Sequence, residues 1–145
     1  MRIQTAIQKF LATPGSATAD LAAGGVYWFA PTSKPEKPFV VVTKAGHRPL
    51  APAIDEGERT PAEVTLQIVT YAKTQEAAAN LADAVWEDLQ TIQRQVVPVA
   101  SPPADGSPFV KLVHPGNEED VLDERLRDEG LYAELRTFTA FYEYR

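Results

Sequence analysis

A chain of 145 residues, 44% hydrophobic and 23% charged, is long enough to bury a sizeable core as one folded domain, and its supply of Val, Leu and aromatics excludes a disordered chain. The absence of cysteine excludes a disulfide scaffold, a thiolate metal site and a cysteine nucleophile. A net charge of -6, with 14 basic residues scattered along the chain, is the wrong sign for gripping nucleic-acid phosphates.

Ile3, Ile7, Phe10 and Leu11 recur at helical spacing, which predicts a short amphipathic helix over residues 3–12 that stops ahead of Pro14. Gln4, Gln8 and Lys9 break any apolar run here, so the segment lacks the continuous core of a signal peptide, and no stretch of the chain reaches the length of a membrane span. After Pro14-Gly15, Ser16 or Thr18 is placed to cap a single helical turn containing Asp20 and Leu21, with Gly24 or Gly25 supplying the left-handed residue that ends it. A helix-turn-helix DNA reader shares this outline, but no basic recognition helix follows.

Val26-Tyr27-Trp28-Phe29 reads as a short apolar strand closed by Ala30-Pro31, and residues 39–44 as a second strand, apolar on both faces at its start and therefore central. Between them Pro31, Pro35 and Pro38 with Lys34 and Lys37 predict a rigid exposed loop. Residues 46–62 hold three prolines, two glycines and mixed charge, and read as a long loop. Its apolar tip, Leu50, Ala51, Ala53 and Ile54, is ringed by Arg48, Asp55, Glu56, Glu58 and Arg59, a pattern that suits docking to a partner better than chemistry.

The clearest local pattern lies in residues 61–90. Val64, Leu66 and Ile68 alternate with Glu63, Thr65 and Gln67, the period of a strand with one wet side. From Gln75 the period changes, and Leu81, Val85, Leu89 and Ile92 line one stripe of a helix, with Thr74 at the N-cap and Glu76 at the positive end of the helix dipole. The prolines at 98, 102, 103 and 108 end that helix by about Val97 and predict a Pro-rich connector over 97–108.

Residues 109–113 then predict a strand, and residues 121–127 a further one with Leu122 and Leu126 on the same face. Asp128-Glu129-Gly130 reads as a tight hairpin turn leading into a long final strand over 131–144. Leu131, Ala133 and Leu135 alternate with Glu134 and Arg136, whereas Phe138, Tyr142 and Tyr144 fall in the opposite phase to Phe141; a bulge, or cover on both faces, would reconcile them. Aromatic density of this kind also fits a subunit contact through Phe138, Tyr142 and Tyr144.

Chemistry is sparsely signalled. His47 and His114 each lie in or beside a turn and read as structural or solvated, with no metal-ligand spacing, cysteine pair or calcium-loop pattern around them. Glu118, Glu119, Asp120, Asp123 and Glu124 are candidates for a cation site or an acid pair in a small ligand-binding or hydrolytic module, but a solvated strand edge is the simpler reading. No nucleophile elbow, phosphate-binding loop or dinucleotide fingerprint occurs, so the residues support neither an enzyme nor a cofactor.

Taken in order, the opening IQTAIQKFLA, the LAAGGVYWFAP turn and strand, PFVVV, EVTLQIVTYA, the helix EAAANLADAVWEDL and the closing DEGLYAELRTFTAFYEY resemble the tail-completion or tail-terminator family of tailed bacteriophages and prophages, a class of minor tail proteins. The connector over 93–108 and the stretch SPFVKLVHPGNEEDVLDERL depart from that pattern. The resemblance implies an α+β domain with a mostly antiparallel sheet backed by two main helices, assembling as a homo-oligomeric ring, a hexamer. Such a ring caps the tail tube, ends its polymerisation and offers the surface to which the head-tail connector docks, while DNA passes through without specific binding. It implies residence at the neck end of the virion tail, host cytoplasm during assembly, and no membrane. Arg48, Leu50, Ile54, Glu56, Arg59, Phe138, Tyr142 and Tyr144 are the expected partner or oligomer contacts. A neck adaptor or stopper is the alternative within virion assembly.

Overall fold

The computed structural model describes residues 2–31, 35–49, 61–98 and 108–144. The elements follow in the order α1 (Ile3–Leu11), α2 (Ala17–Leu21), β1 (Val26–Trp28), β2 (Phe39–Pro49), β3 (Ala62–Ala72), α3 (Gln75–Thr91), β4 (Gln95–Val96), β5 (Pro108–Val121), α4 (Glu124–Asp128) and β6 (Tyr132–Tyr144). The strands form one six-stranded sheet in the order β1-β2-β3-β6-β5-β4. Among the described residues the β1–β2 pair is parallel and the other pairs are antiparallel. The fold is α+β, with α1 and α3 packed on one face of the sheet.

That face holds the main core. Ile3, Ile7 and Leu11 of α1 and Leu81, Val85 and Leu89 of α3 pack on Val40, Val42, Val64, Leu66, Ile68, Phe138 and Ala140. Each is essentially sealed from solvent, and full burial of such a side chain is worth about 1.5–3 kcal/mol. Trp86 adds a stacked contact on Phe138, with ring centroids 5.7 Å apart. The alternation of β3 behaves as expected, since Val64, Leu66 and Ile68 are buried while Gln67 is exposed. Val40 and Val41 are both buried, in keeping with a strand covered on two sides.

Thr74 caps α3, its side chain accepting from the Ala77 N–H at 3.1 Å, and Ser16 caps α2 by accepting from Ala19 at 3.0 Å. The two glycines after α2 divide the work. Gly25 takes the positive φ of 100°, while Gly24 is required by space: a Cβ there would lie 1.7 Å from the Glu36 carbonyl oxygen.

Several expectations are corrected. Residues 46–49 are not loop. β2 runs on to Pro49 and pairs with β3 as far as Ala62, with a register shift between Lys44 and Gly46. Residues 121–127 are not a strand: β5 ends at Val121 and Glu124–Asp128 is a helical turn, capped by the Asp123 carboxylate accepting from Arg125 at 2.9 Å. Gly130 does hold a positive φ of 69°, but it closes α4 in place of a hairpin turn, with Leu131 N–H to Leu126 O at 2.7 Å and Gly130 N–H to Arg127 O at 2.9 Å, the paired bonds of a Schellman motif.

For the phase of β6, cover on both faces holds over its first part, where Ala133 is buried on one face and Glu134 and Arg136 on the other. Its pairing with β3 is unbroken from Tyr132 to Tyr142, so β6 has no bulge on that side; the irregularities lie in β5, at Val110/Leu112 and Pro115/Glu118. Glu134, Arg136, Phe138, Ala140 and Tyr142 therefore share the helix-covered face, and all five are buried. Glu134 and Arg136, read from sequence as the polar outside, are inside. α3 ends at Thr91, ahead of the expected limit near Val97, and Gln95 and Val96, just before the Pro-rich connector, pair with Val110 and Phe109.

Candidate functional site

Three features stand out on this scaffold. The first is the outer part of the β2–β3 hairpin. Beyond the register shift Lys44, Ala45, His47, Arg48 and Pro49 are exposed, and the arms are tied across the strands by Arg48 Nη2 to Glu63 Oε1 at 2.9 Å. His47 Nε2 meets the Tyr142 hydroxyl at 2.8 Å, which links the hairpin to β6. His47 is thereby a structural histidine. The expected contacts Leu50, Ile54, Glu56 and Arg59 lie outside the described residues.

The second is a groove of about 500 Å³ on the face of the sheet that α1 and α3 leave uncovered. Phe39, Val41 and Leu131 form its floor as a small second core, with Tyr27, Tyr71 and Leu126 packed against it. Phe39 stacks on Tyr71 at 4.6 Å and meets Tyr27 edge-on at 6.3 Å. Phe29 forms the wall, 73% exposed and with a φ of 70°, a left-handed conformation that a bulky side chain adopts only when its surroundings impose it. The Phe29 N–H donates to Val42 O at 2.8 Å, and the Lys37 ammonium crosses the rim to the Glu129 carbonyl at 2.8 Å. Sequence reading missed this groove. Its parts come from β1, β2, β3, α4 and the start of β6, and no spacing in the chain announces their meeting.

The third is a charged cluster under α3. Arg136, 8% exposed, bonds Asp83 at 2.7 Å and Glu134 at 2.8 Å and has Glu118 at 3.9 Å. Burial raises the carboxyl pKa of Glu134, with Arg136 opposing and Glu118 and Asp120 adding to the rise. For Arg136 burial alone acts to lower the pKa, but the hydrogen bond to Asp83 and the neighbouring carboxylates raise it further.

The acidic stretch is dispersed by this arrangement. Glu118 faces Arg136, Asp120 accepts from Gln75 Nε2 at 3.0 Å, and Asp123 is a helix cap. His114 pairs with Thr139, on the other face of the sheet from Glu118 opposite Arg136. Among the described residues no group of three or more His, Cys, Asp or Glu side chains could hold a metal ion. No helix there is long and apolar enough to cross a membrane.

The aromatic contacts expected on β6 are differently placed. Phe138 is 1% exposed and Tyr142 3%, both within the main core, so their rings are occupied inside the subunit. Tyr144 pairs with Pro108 at the end of β6.

No family model matches this chain, and no curated protein matches it significantly. Solved structures do share its fold. A chain from the virion of a native gene transfer agent particle is 17% identical and superposes with a TM-score of 0.61, over 97% of this chain and 94% of that one. A second solved chain, 12% identical, covers 100% of this chain and 97% of its own with a TM-score of 0.51.

Proposed function

We propose that this chain is a non-enzymatic structural subunit of a phage-like virion, and within it a tail terminator: a ring-forming protein that caps the tail tube, ends its polymerisation and joins tail to head. The observation that carries the reading is the end-to-end sharing of one fold with a chain of a gene transfer agent virion, with neither chain leaving a large part unmatched. The order of sequence segments that resembles the tail-terminator family supports the finer assignment.

The physical character of the molecule fits such work. Among the described residues its polar clusters are consumed by helix caps and internal ion pairs, and its distinctive surfaces are an apolar groove and the exposed end of β2. Those are contact features, and a subunit placed in a ring by head-to-tail contacts needs two different patches. The acidic balance lets DNA pass without being held. Arg48, with the segment carrying Leu50, Ile54, Glu56 and Arg59, is then the contact made by the hairpin.

Electron micrographs of particles assembled without the chain test this. Overlong tail tubes are expected. Tubes of normal length without heads would instead make it a neck stopper, and normal infectious particles would end the virion-assembly reading.

A further inference from the structure

We propose that neighbouring copies of this chain join edge to edge, the outer half of β2 in one copy lying antiparallel beside the end of β5 in the next. The inference deepens the reading of the chain as a ring subunit and rests on it.

The two outermost strands are too short to close the sheet. β1 pairs only with Val40, Val41 and Val42 of β2, and β4 only with Phe109 and Val110 of β5. Among the described residues, nothing pairs beside Thr43–Pro49 on one edge or beside Glu118–Val121 on the other. Residues 99–107 begin and end beside Pro108, and fully extended out and back they reach about 18 Å. Glu118 lies opposite Arg136, eight residues along β6 from the Tyr144 that faces Pro108, about 26 Å away. That loop cannot cover it.

The edges carry opposite charge. Lys44, His47 and Arg48 are exposed on one, and Glu118, Glu119 and Asp120 on the other. Charged edges keep like edges apart, so two β5 ends repel and two β2 ends repel. Head-to-tail pairing is what remains, and it is the kind that closes rings. Strand direction agrees, because three antiparallel pairings separate β2 from β5 and the two therefore run opposite ways. The same pairings hold the edges of one copy about 14 Å apart, so the partner is another copy.

Register adds two further agreements. With Lys44 opposite Asp120 and Thr43 opposite Val121, Leu122, 78% exposed, arrives at the end of β1, where Trp28 and Phe29 are also exposed. Apolar then meets apolar. Across one sheet Lys44 is level with Pro115 and Asp120 with Val40, a stagger of four β2 residues, about 13 Å. Over the four strands β2, β3, β6 and β5, about 19 Å wide, this tilts the strands by roughly 35°, as a closed sheet requires.

The cysteine-free sequence permits a clean test. Full-length chains carrying Ala45→Cys and Glu119→Cys, both exposed positions, are mixed under mild oxidation. The mixed disulfide, which needs Cα atoms within about 7 Å, is expected to exceed by about tenfold or more that between Ala45→Cys and a control Glu87→Cys on the exposed side of α3. Adding Lys44→Asp to the Ala45→Cys chain should cut the yield about fivefold, and adding Asp120→Lys to the Glu119→Cys chain should then restore it. A yield equal to the control overturns the proposal, as does a high yield that Lys44→Asp leaves unchanged. Capped tubes with control-level cross-linking would sink this contact alone. Strong cross-linking together with normal particles in the chain's absence would sink the virion reading and leave the contact standing.

Discussion

Asp88 of α3 accepts the backbone N–H of Thr18 at 2.8 Å, and its other oxygen accepts that of Ala17 at 3.0 Å, so one buried carboxylate closes the N-terminus of α2 from seventy residues away. Ser16 completes the cap from within the turn. A five-residue helix has little stability of its own, and here it is held by a partner on the core helix.

Asp88→Ala should destabilise the chain by about 2–3 kcal/mol, because two N–H donors in a largely buried place lose their acceptor. Urea denaturation followed by circular dichroism measures it. A loss below the level of an exposed surface substitution would show that water replaces the carboxylate.

Two buried threonines should respond in opposite ways. Thr18 Oγ1 is buried without a hydrogen-bond partner, so Thr18→Val is expected to be neutral or stabilising by up to about 1 kcal/mol. Thr70 Oγ1 donates to the Ala78 carbonyl at 2.8 Å, so Thr70→Val should cost about 1 kcal/mol. Thermal melts of the two variants side by side give the sign of each.

Gly24→Ala forces a Cβ into the Glu36 carbonyl and should cost about 2 kcal/mol or more. Gly46→Ala, with nothing within 4 Å of the added carbon, should change stability by less than about 0.5 kcal/mol. Chemical denaturation separates the two.

Removing Arg136 leaves Glu134 buried without its counter-charge, so Arg136→Met is expected to cost about 3 kcal/mol. Replacing both members, as in Glu134→Leu with Arg136→Met, should recover most of that loss, since the penalty belongs to the stranded charge and not to the absent pair. A denaturation series on both variants tests the difference.

The pH response of Glu134 has a defined sign. Burial raises its folded pKa above the unfolded value, so the unfolded state ionises first as pH rises. Its contribution is full below the ordinary Glu value of about 4.3 and is lost as pH climbs through the raised folded pKa. Stability of the native chain relative to Glu134→Gln should therefore fall over that window, measured by denaturation at a series of pH values. A relative stability that rises with pH would mean that Arg136 outweighs desolvation.

Residues whose environment is set by near neighbours in sequence were legible without the fold. The strand over Val64, Leu66 and Ile68, the stripe Leu81, Val85 and Leu89, and the Thr74 cap obey a local period or a local hydrogen bond, and the chain carries both in plain view. α4 failed for an equally local reason: Leu122 and Leu126 are four apart, a spacing that suits a strand face and a helix face alike, and Asp123 with Gly130 tips the balance toward the helix. Of the candidate site, the apolar tip singled out in the sequence lies outside the described residues, and the groove was not legible at all, because its lining comes from segments far apart in the chain.

What only the tertiary structure decided is where distant segments meet. Whether Glu134 and Arg136 face water or α3 depends on the register of β6 against β3, and a one-residue change of register exchanges the two faces. Asp88 looks like one more polar residue on a helix until α2 is laid across it. The groove exists because β1 runs parallel to β2 and α4 closes over Phe39, a meeting of five segments that no periodicity encodes. By itself the sequence determined the buried stripes of β3 and α3 and the caps of the helices, because period and backbone sterics act over a few residues. The partners of the buried charges and the shape of the apolar surface left open were decided by packing between elements far apart in the chain.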